Sequence, residues 1–271
     1  MTIAENRAAA LFVNKYPCVR RIWLLVYTVW LMIGLILVFT VGIPPWLDWS
    51  GGVYLFLAAG LAVMVLMDGA GDYRSVTVVI AIAAIAGWGS EWLGVHTGFP
   101  FGSYTYAAFL GPRLFGVPVA MGAAWASVLV IGWAFTPRYL NPLIRIAVAA
   151  LLTTSLDFLV DPVASNVLSD WTWTVHGRYY GVPWRNFVAW FLISALLQSL
   201  FSALRHPFHP PKLAWFLFGT LTGMFAVIGF VNGLWLPALF GMVPCMVSGL
   251  MGVGIGLRSS RQRTRRVSEN T

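Results

Sequence analysis

Long apolar stretches constrain the fold of this chain more than any other feature. They fall near residues 22–42, 51–67, 76–95, 117–136, 143–160, 184–204, 213–231 and 234–257. A helix of about 20 apolar residues crosses a bilayer core of about 30 Å. Strands of a membrane barrel are shorter and alternate in polarity, which these stretches do not. We therefore predict an all-α, polytopic membrane helix bundle of about eight transmembrane helices.

The composition supports the same class. The 271 residues are 59% hydrophobic and only 10% charged, with a mean hydropathy of +0.79, which is too apolar for a water-soluble core. We expect a single integral membrane domain over residues 1–271. It would begin with a cytoplasmic segment, 1–21, and end with a basic cytoplasmic tail, 258–271. The first apolar stretch is interpreted as a signal anchor because it is too long for the core of a signal peptide and lacks a small-residue cleavage site.

Basic residues predict the orientation in the membrane. If the N-terminus is inside, fourteen Lys and Arg residues fall on the cytoplasmic side, and only Arg113, Arg178 and Arg185 fall on the outer side. Because cytoplasmic loops retain Lys and Arg, we predict a multi-pass cell-membrane protein with both termini cytoplasmic. This distribution explains the net charge of +8 through contact with the lipid bilayer, without a nucleic-acid partner.

Three acidic residues lie in or beside the apolar stretches: Glu91, Asp157 and Asp161. A carboxylate in hydrocarbon is costly, so each is a candidate functional residue. Asp157 and Asp161 are four residues apart, hence on one face if the helix continues to Pro162, and such a pair could share one proton. Asp161 also has a structural interpretation, since an acid before proline is common where a helix ends.

The sequence around these acids predicts an internal repeat. Glu91 is followed by an aromatic loop, Gly-Val-Pro at 116–118 and Trp125, whereas Asp157 is followed by a similar loop, Gly-Val-Pro at 181–183 and Trp190. The offset is 66 residues for the acids and 65 for the later landmarks. We predict two copies of a two-span unit that run in the same direction, with the site at the outer ends of spans 3 to 6.

Longer motifs resemble a known family. They are EWLGVHTGFPFGSYTY at residues 91–106, DFLVDPVA at 157–164, WTW at 171–173 and YYGVPWRNF at 179–187. These are similar to the membrane hydratases of carotenoid biosynthesis, such as the bisanhydrobacterioruberin and γ-carotene hydratases. The resemblance covers roughly residues 85–195. It implies cofactor-free and metal-free addition of water to the terminal double bond of an acyclic carotenoid, giving a tertiary alcohol.

That reaction needs a proton donor, stabilisation of a tertiary cation, and delivery of water. A buried carboxylic acid suits the first role, with Asp157, Glu91 and Asp161 as candidates. Aromatic faces stabilise cations, and Asn186 could position water. The candidates for contact with the substrate are Trp88, Trp92, Tyr104, Tyr106, Trp171, Trp173, Tyr180 and Asn186. His96 and His176 could relay protons, whereas an arginine paired with an acid would make that acid a poor donor.

Other functions remain open on sequence alone. The same cation could lead to cyclisation or isomerisation of the end group. Asp68 and Asp72 are also four residues apart and resemble a diphosphate-binding site of a membrane prenyltransferase, although they map to the opposite side of the membrane from Asp157. Intramembrane acids in duplicated spans also occur in proton-coupled lipid transporters. The sequence predicts neither the oligomeric state nor the particular carotenoid.

Overall fold

The computed structural model describes residues 17–70, 73–107, 110–204 and 212–247, which are mostly helical. The helices are α1 (Pro17–Phe39), α2 (Ser50–Ala70), α3 (Tyr73–Thr97), α4 (Ala120–Ala134), α5 (Pro142–Val163), α6 (Trp184–Phe201), α7 (Lys212–Val231) and α8 (Trp235–Gly241). Four short strands lie between them: β1 (Tyr104–Tyr106), β2 (Arg113–Leu114), β3 (Val117–Pro118) and β4 (Trp171–Trp173). The predicted N-terminal segment before residue 17, Asp72 and the basic tail lie outside the described residues.

Five helical segments are long and apolar enough to cross a membrane: Pro17–Phe39, Pro45–Asp68, Tyr73–Thr97, Pro142–Leu168 and Lys212–Val231. A helix lies at each of the eight predicted stretches, but α4 has only 15 residues and the last stretch continues past the described residues. The count of eight spans therefore stays a prediction. In α1 only Tyr27 and Leu31 are buried, so most of its apolar side chains are exposed, as expected for a helix that faces lipid.

The core of the bundle is α4. All of its residues except Ala124 are buried, and it packs against α2, α3 and α5. Trp125 and Trp133 on this helix are fully buried and are among the largest buried side chains. A helix that is apolar on every face is the expected centre of a helical bundle.

Helix α5 continues through a proline at the point where it carries the two aspartates. Asn141 caps its start by accepting a hydrogen bond from the Leu143 N–H at 2.9 Å. Pro162 has no N–H to donate to the carbonyl four residues earlier, which belongs to Phe158. The Tyr179 hydroxyl donates to this carbonyl at 3.0 Å, so its hydrogen-bonding capacity is satisfied from the loop. The chain then makes a π-helical turn over residues 164–168.

The two long loops meet at one end of the bundle, which we call the loop end. Strands β1 and β4 pair in antiparallel fashion, with Tyr104 opposite Trp173 and Tyr106 opposite Trp171. Each loop finishes in a tight hairpin before the next helix. The central residues have φ values of 47° and 82° at Phe115 and Gly116 in the first loop. The values are 49° and 83° at Tyr180 and Gly181 in the second. Positive φ at both positions is typical of a type I′ turn.

Below the paired strands, Trp125 of α4 stacks face to face on Trp190 of α6. Their ring centroids are 4.0 Å apart and their planes differ by 12°. Gly87 on α3 permits this arrangement, because a Cβ at residue 87 would lie 2.4 Å from the Trp125 ring. The strands and the stacked rings together fix the positions of α3, α4, α5 and α6 around the acidic residues.

Candidate active site

Glu91 on α3 is enclosed by hydrogen-bond donors. Its Oε2 accepts from the hydroxyl of Tyr104 and, at 2.7 Å, from that of Tyr106, while its Oε1 accepts from Trp125 Nε1 at 2.9 Å. Burial, and then the adjacent Glu91 carboxylate, raise the pKa values of both tyrosines, so they remain protonated donors. Gly94 leaves room for this contact, since a Cβ at residue 94 would lie 2.9 Å from the Tyr104 hydroxyl. Both carboxylate oxygens of Glu91 are therefore occupied.

Asp157 and Asp161 form a pair on one face of α5, as their spacing predicts. Both are 2% exposed. The side-chain amide of Asn186 on α6 donates to the Oδ2 of each aspartate at 2.8 Å. The Oδ1 of Asp161 also accepts from Trp171 Nε1 and Trp173 Nε1, both at 2.9 Å. In contrast, no described residue donates to the Oδ1 of Asp157.

An apolar cavity of about 580 Å³ reaches one member of this pair. Its wall is formed mainly by α1, α2, α4 and α7, with two residues from α5, and it extends to the loop end near Asp48 and Asn232. Asp157 borders the cavity, whereas Glu91 and Asp161 do not. The volume lies in the range of small-molecule sites, and the mostly apolar lining suits a hydrocarbon ligand. Asp157 is thus the acid on α3 or α5 that a bound hydrocarbon could contact.

The predicted aromatic residues divide into two groups. Trp171 borders the cavity. Tyr104 and Tyr106 donate hydrogen bonds to Glu91, Trp173 donates one to Asp161, and none of these three borders the cavity. Trp88 and Tyr180 are half-buried in packing clusters, and Trp92 is 41% exposed; none of the three borders the cavity. Asn186 holds the aspartates but is not in the cavity wall.

The histidines and arginines of the loops lie away from the carboxyl groups. His96 and His176 are exposed, and His96 Nδ1 bonds the backbone oxygen of Trp92 on its own helix at 2.8 Å. Arg185 donates to the backbone oxygens of Gly98 and Pro100, just beyond the end of α3. Within the described part of the chain, no arginine or lysine forms an ion pair with Glu91, Asp157 or Asp161.

Several residues of the cavity wall were missed by the sequence prediction. Trp30, Tyr54 and Trp190 supply aromatic surface, and Asp48 and Asp170 supply carboxyl groups. Trp190 had a signal, because it is a landmark of the repeat. Asp170 also had one, since it directly precedes the Trp171-Thr172-Trp173 motif. Trp30 and Tyr54 lie on α1 and α2, outside the recognised motifs.

Asp68, a candidate for the prenyltransferase alternative, lies at the other end of the bundle. Its carboxylate pairs with Arg20 of α1 at 3.2 Å. Its proposed companion, Asp72, falls outside the described residues. The contact joins α1 to α2 and gives Asp68 a structural role.

Comparisons with known proteins agree with the motif resemblance. Residues 51–248 match a protein family described as "Carotenoid biosynthesis protein". A relative named bisanhydrobacterioruberin hydratase, from Haloarcula japonica, is 29% identical over 140 residues. That alignment covers 48% of this chain and 45% of the relative, so the chain matches about half of the relative's length. No solved structure matches the chain.

Proposed function

The chain belongs to the carotenoid biosynthesis protein family, and we propose that it is a carotenoid hydratase acting on an acyclic end group. The observation that carries this proposal is that the Asp157 carboxyl group, whose Oδ1 accepts no hydrogen bond from a described residue, borders an apolar cavity together with aromatic rings. The name of the Haloarcula relative supports the reaction class. The product would be a tertiary alcohol formed without oxidation or reduction.

In the proposed mechanism, Asp157 protonates the less substituted carbon of the terminal double bond. The π electrons form the new C–H bond, and a cation is left on the neighbouring tertiary carbon. Asp157 can hold the required proton because Asp161 lies beside it, and two neighbouring charges in apolar surroundings repel each other. Asn186 keeps the pair in register by donating to both carboxyl groups.

Aromatic rings in the cavity wall would stabilise the cation. Trp171 and Trp190 both border the cavity with Asp157, and an aromatic face contributes up to about 2 kcal/mol to a desolvated cation. Trp171 is fixed because its Nε1 donates to Asp161, and Trp190 is fixed because it stacks on Trp125. A water molecule then attacks the tertiary carbon and loses a proton, which completes the hydration.

We further infer that the helix pairs α3–α4 and α5–α6 are two copies of one unit. Matching hairpins at 113–118 and 178–183, the pairing of β1 with β4 and the stacked Trp125 and Trp190 support this inference. In a two-fold arrangement, equivalent residues meet at the axis, as these two tryptophans do. With both termini cytoplasmic and eight helices crossing the membrane, the loop end would lie on the outer side.

The experiment expresses the chain in cells that accumulate an acyclic carotenoid and measures the pigments by mass spectrometry. We expect a product heavier by one water. Asp157→Asn should lower the yield per folded protein by about 10²-fold or more, the usual contribution of a general acid. Asp68→Asn, which also removes a carboxyl group from the bundle, should keep the activity because Asp68 is remote from the cavity.

The outcome distinguishes the neighbouring reactions. A product with the mass of the substrate but a different chromatographic retention would show that the reaction is cyclisation or isomerisation and not hydration. Full activity in Asp157→Asn would refute the proposed proton donor. If no carotenoid is altered by a folded protein across several acyclic substrates, the hydratase proposal fails.

A further inference from the structure

Asp170 borders the cavity, and its backbone is hydrogen-bonded to the end of α5, the helix that carries Asp157 and Asp161. It lies between the π-helical turn at 164–168 and β4. Its N–H donates to the backbone oxygen of Ala164 at 2.9 Å, and its own backbone oxygen accepts from the Ala107 N–H at 2.9 Å. Because Ala164 directly follows α5 and Ala107 directly follows β1, these two bonds fix Asp170 at the loop end of the cavity.

The carboxyl group of Asp170 differs from those of Glu91 and Asp161 in its surroundings. Each of those accepts hydrogen bonds from three side chains, whereas no described residue donates a hydrogen bond to the Asp170 carboxylate. Burial raises the pKa of Asp170 to about 7. Both of its protonation states are therefore populated near neutral pH, which suits a group that accepts and releases protons.

The chemistry of hydration leaves a role for a second carboxyl group. When water attacks a tertiary cation, the resulting oxonium must lose a proton to a base. Asp157 and Asp170 border the same cavity from different elements, one from α5 and the other from the loop that follows it. With a proton donor and a proton acceptor at separate points of the cavity, Asp157 can protonate the alkene while water attacks from the side of Asp170.

We propose that Asp170 is the general base that takes the proton from the attacking water, an inference that rests on the hydratase function proposed above. The oxygen of water forms the C–O bond to the tertiary carbon, and the O–H electron pair released by deprotonation stays on that oxygen. Asp170 gains one proton from the attacking water, and Asp157 has lost one proton to the neighbouring carbon. Return of a proton from Asp170 to Asp157 through the cavity restores both groups, so the net reaction adds one water.

Asp48 is the rival for this role, because it also borders the cavity near the loop end. It belongs to the connection between α1 and α2, and its backbone oxygen accepts from the Leu110 N–H at 3.0 Å. Asp170 is favoured because it is covalently adjacent to Trp171, which itself borders the cavity and donates to Asp161. The general base, Asp170, would thus be the direct neighbour in the chain of Trp171, a ring that faces the cation.

The test follows deuterium in D₂O with purified protein and an acyclic carotenoid in detergent micelles. The unmodified protein should form an alcohol that carries deuterium on the newly protonated carbon. Asp170→Asn should form alcohol about 10²-fold more slowly, the usual loss for a general base. The recovered carotenoid should nevertheless gain deuterium at its end group, since Asp157 still protonates the alkene and the cation can return a proton to it.

Asp157→Asn should abolish both the alcohol and the exchange, which separates the two carboxyl groups. Asp68→Asn is the control for loss of a carboxyl group elsewhere, and the thermal midpoint of each variant checks folding. Alcohol formation at the unmodified rate in Asp170→Asn would overturn the proposal, as would the loss of exchange in a folded Asp170→Asn protein. Exchange without hydration in Asp48→Asn instead would assign the base to Asp48.

The pH profile supplies a second measurement. Asp48, Asp157 and Tyr54 are the other titratable groups in the cavity wall. A base with a pKa of about 7 is ionised above that pH, so hydration should accelerate as the pH rises through about 7. The acceleration should be absent in Asp170→Asn, and its persistence there would contradict the assignment. If the unmodified protein forms no alcohol from any acyclic carotenoid, the hydratase function itself fails.

Discussion

The hydrogen bonds around Glu91 predict that Glu91→Gln destabilises the protein but leaves hydration intact. Three donors converge on the carboxylate: two tyrosine hydroxyls at Oε2 and Trp125 Nε1 at Oε1. A glutamine amide has a single oxygen. If that oxygen takes the place of Oε2, the amide NH₂ faces the indole N–H across the 2.9 Å contact, and neither group can accept. The opposite orientation keeps the Trp125 bond but leaves the Tyr106 hydroxyl hydrogen without an acceptor, whereas the Tyr104 hydroxyl can still donate to the Glu91 backbone oxygen at 3.4 Å.

At least one buried donor is therefore left unpaired in either orientation. An unsatisfied buried polar group costs about 1–3 kcal/mol, and we expect the free energy of unfolding to fall by that amount. Thermal or denaturant unfolding of the detergent-purified protein measures the change. The matched background is Trp125→Phe, which removes the indole N–H. In that background the cost of Glu91→Gln should shrink, with a coupling of about 1–3 kcal/mol between the two substitutions.

The functional half of this prediction follows from the cavity, because Glu91 does not border it. Hydration per folded molecule should stay within a small factor of the unmodified rate in Glu91→Gln, in contrast to Asp157→Asn. Strictly additive effects of Glu91→Gln and Trp125→Phe on stability would refute the hydrogen-bond argument. Loss of hydration in a folded Glu91→Gln protein would refute the structural role and identify Glu91 as the proton donor.

Two substitutions of glycine test the supporting geometry. Gly94→Ala places a methyl group 2.9 Å from the Tyr104 hydroxyl, so it should displace that donor and lower the thermal midpoint. In Gly89→Ala on the same helix, the added methyl group meets no atom within 4 Å, so the thermal midpoint should not fall. Equal thermal midpoints of the Gly94→Ala and Gly89→Ala proteins would contradict the prediction. Gly34→Phe should fill the cavity and suppress hydration without unfolding the protein, because Gly34 borders the cavity and has open space around it. Gly219→Phe, equally open but outside the cavity wall, should leave hydration unchanged in the same pigment assay.

The acidic residues of the site could be predicted from the sequence because the cost of burying a carboxyl group singles them out. The four-residue spacing of Asp157 and Asp161 placed them on one helix face, and Asn186 bridges them. The continuation of α5 past Pro162 could not be predicted, because it depends on the Tyr179 hydroxyl, a contact between residues 21 positions apart. The α-helix ends at Val163, two residues after Asp161, and the chain continues there into the π-helical turn.

The cavity could not be predicted for a similar reason. Its wall combines α1, α2, α4 and α7 with the acid-bearing helix, and the packing of these helices is not encoded in any local motif. The aromatic residues predicted from the loops therefore have different roles in the structure. Tyr104, Tyr106 and Trp173 hold carboxyl groups, Trp171 borders the cavity, and Trp92 is exposed. Composition identifies aromatic-rich loops but does not distinguish these roles.

The proposed two-fold relation of the units makes their differences informative. Trp125 donates to Glu91, whereas Trp190, 65 positions later, borders the cavity. Asn186 bridges two carboxyl groups, whereas the residue 65 positions earlier is Met121, whose side chain has no donor for a carboxylate. Among the described residues, helices α1 and α7 complete a cavity that Asp157 borders, whereas the carboxylate of Glu91 is enclosed by its own donors. The arrangement therefore predicts that each chain hydrates one carotenoid end group at a time, so a substrate with two reactive ends must leave and rebind between the additions.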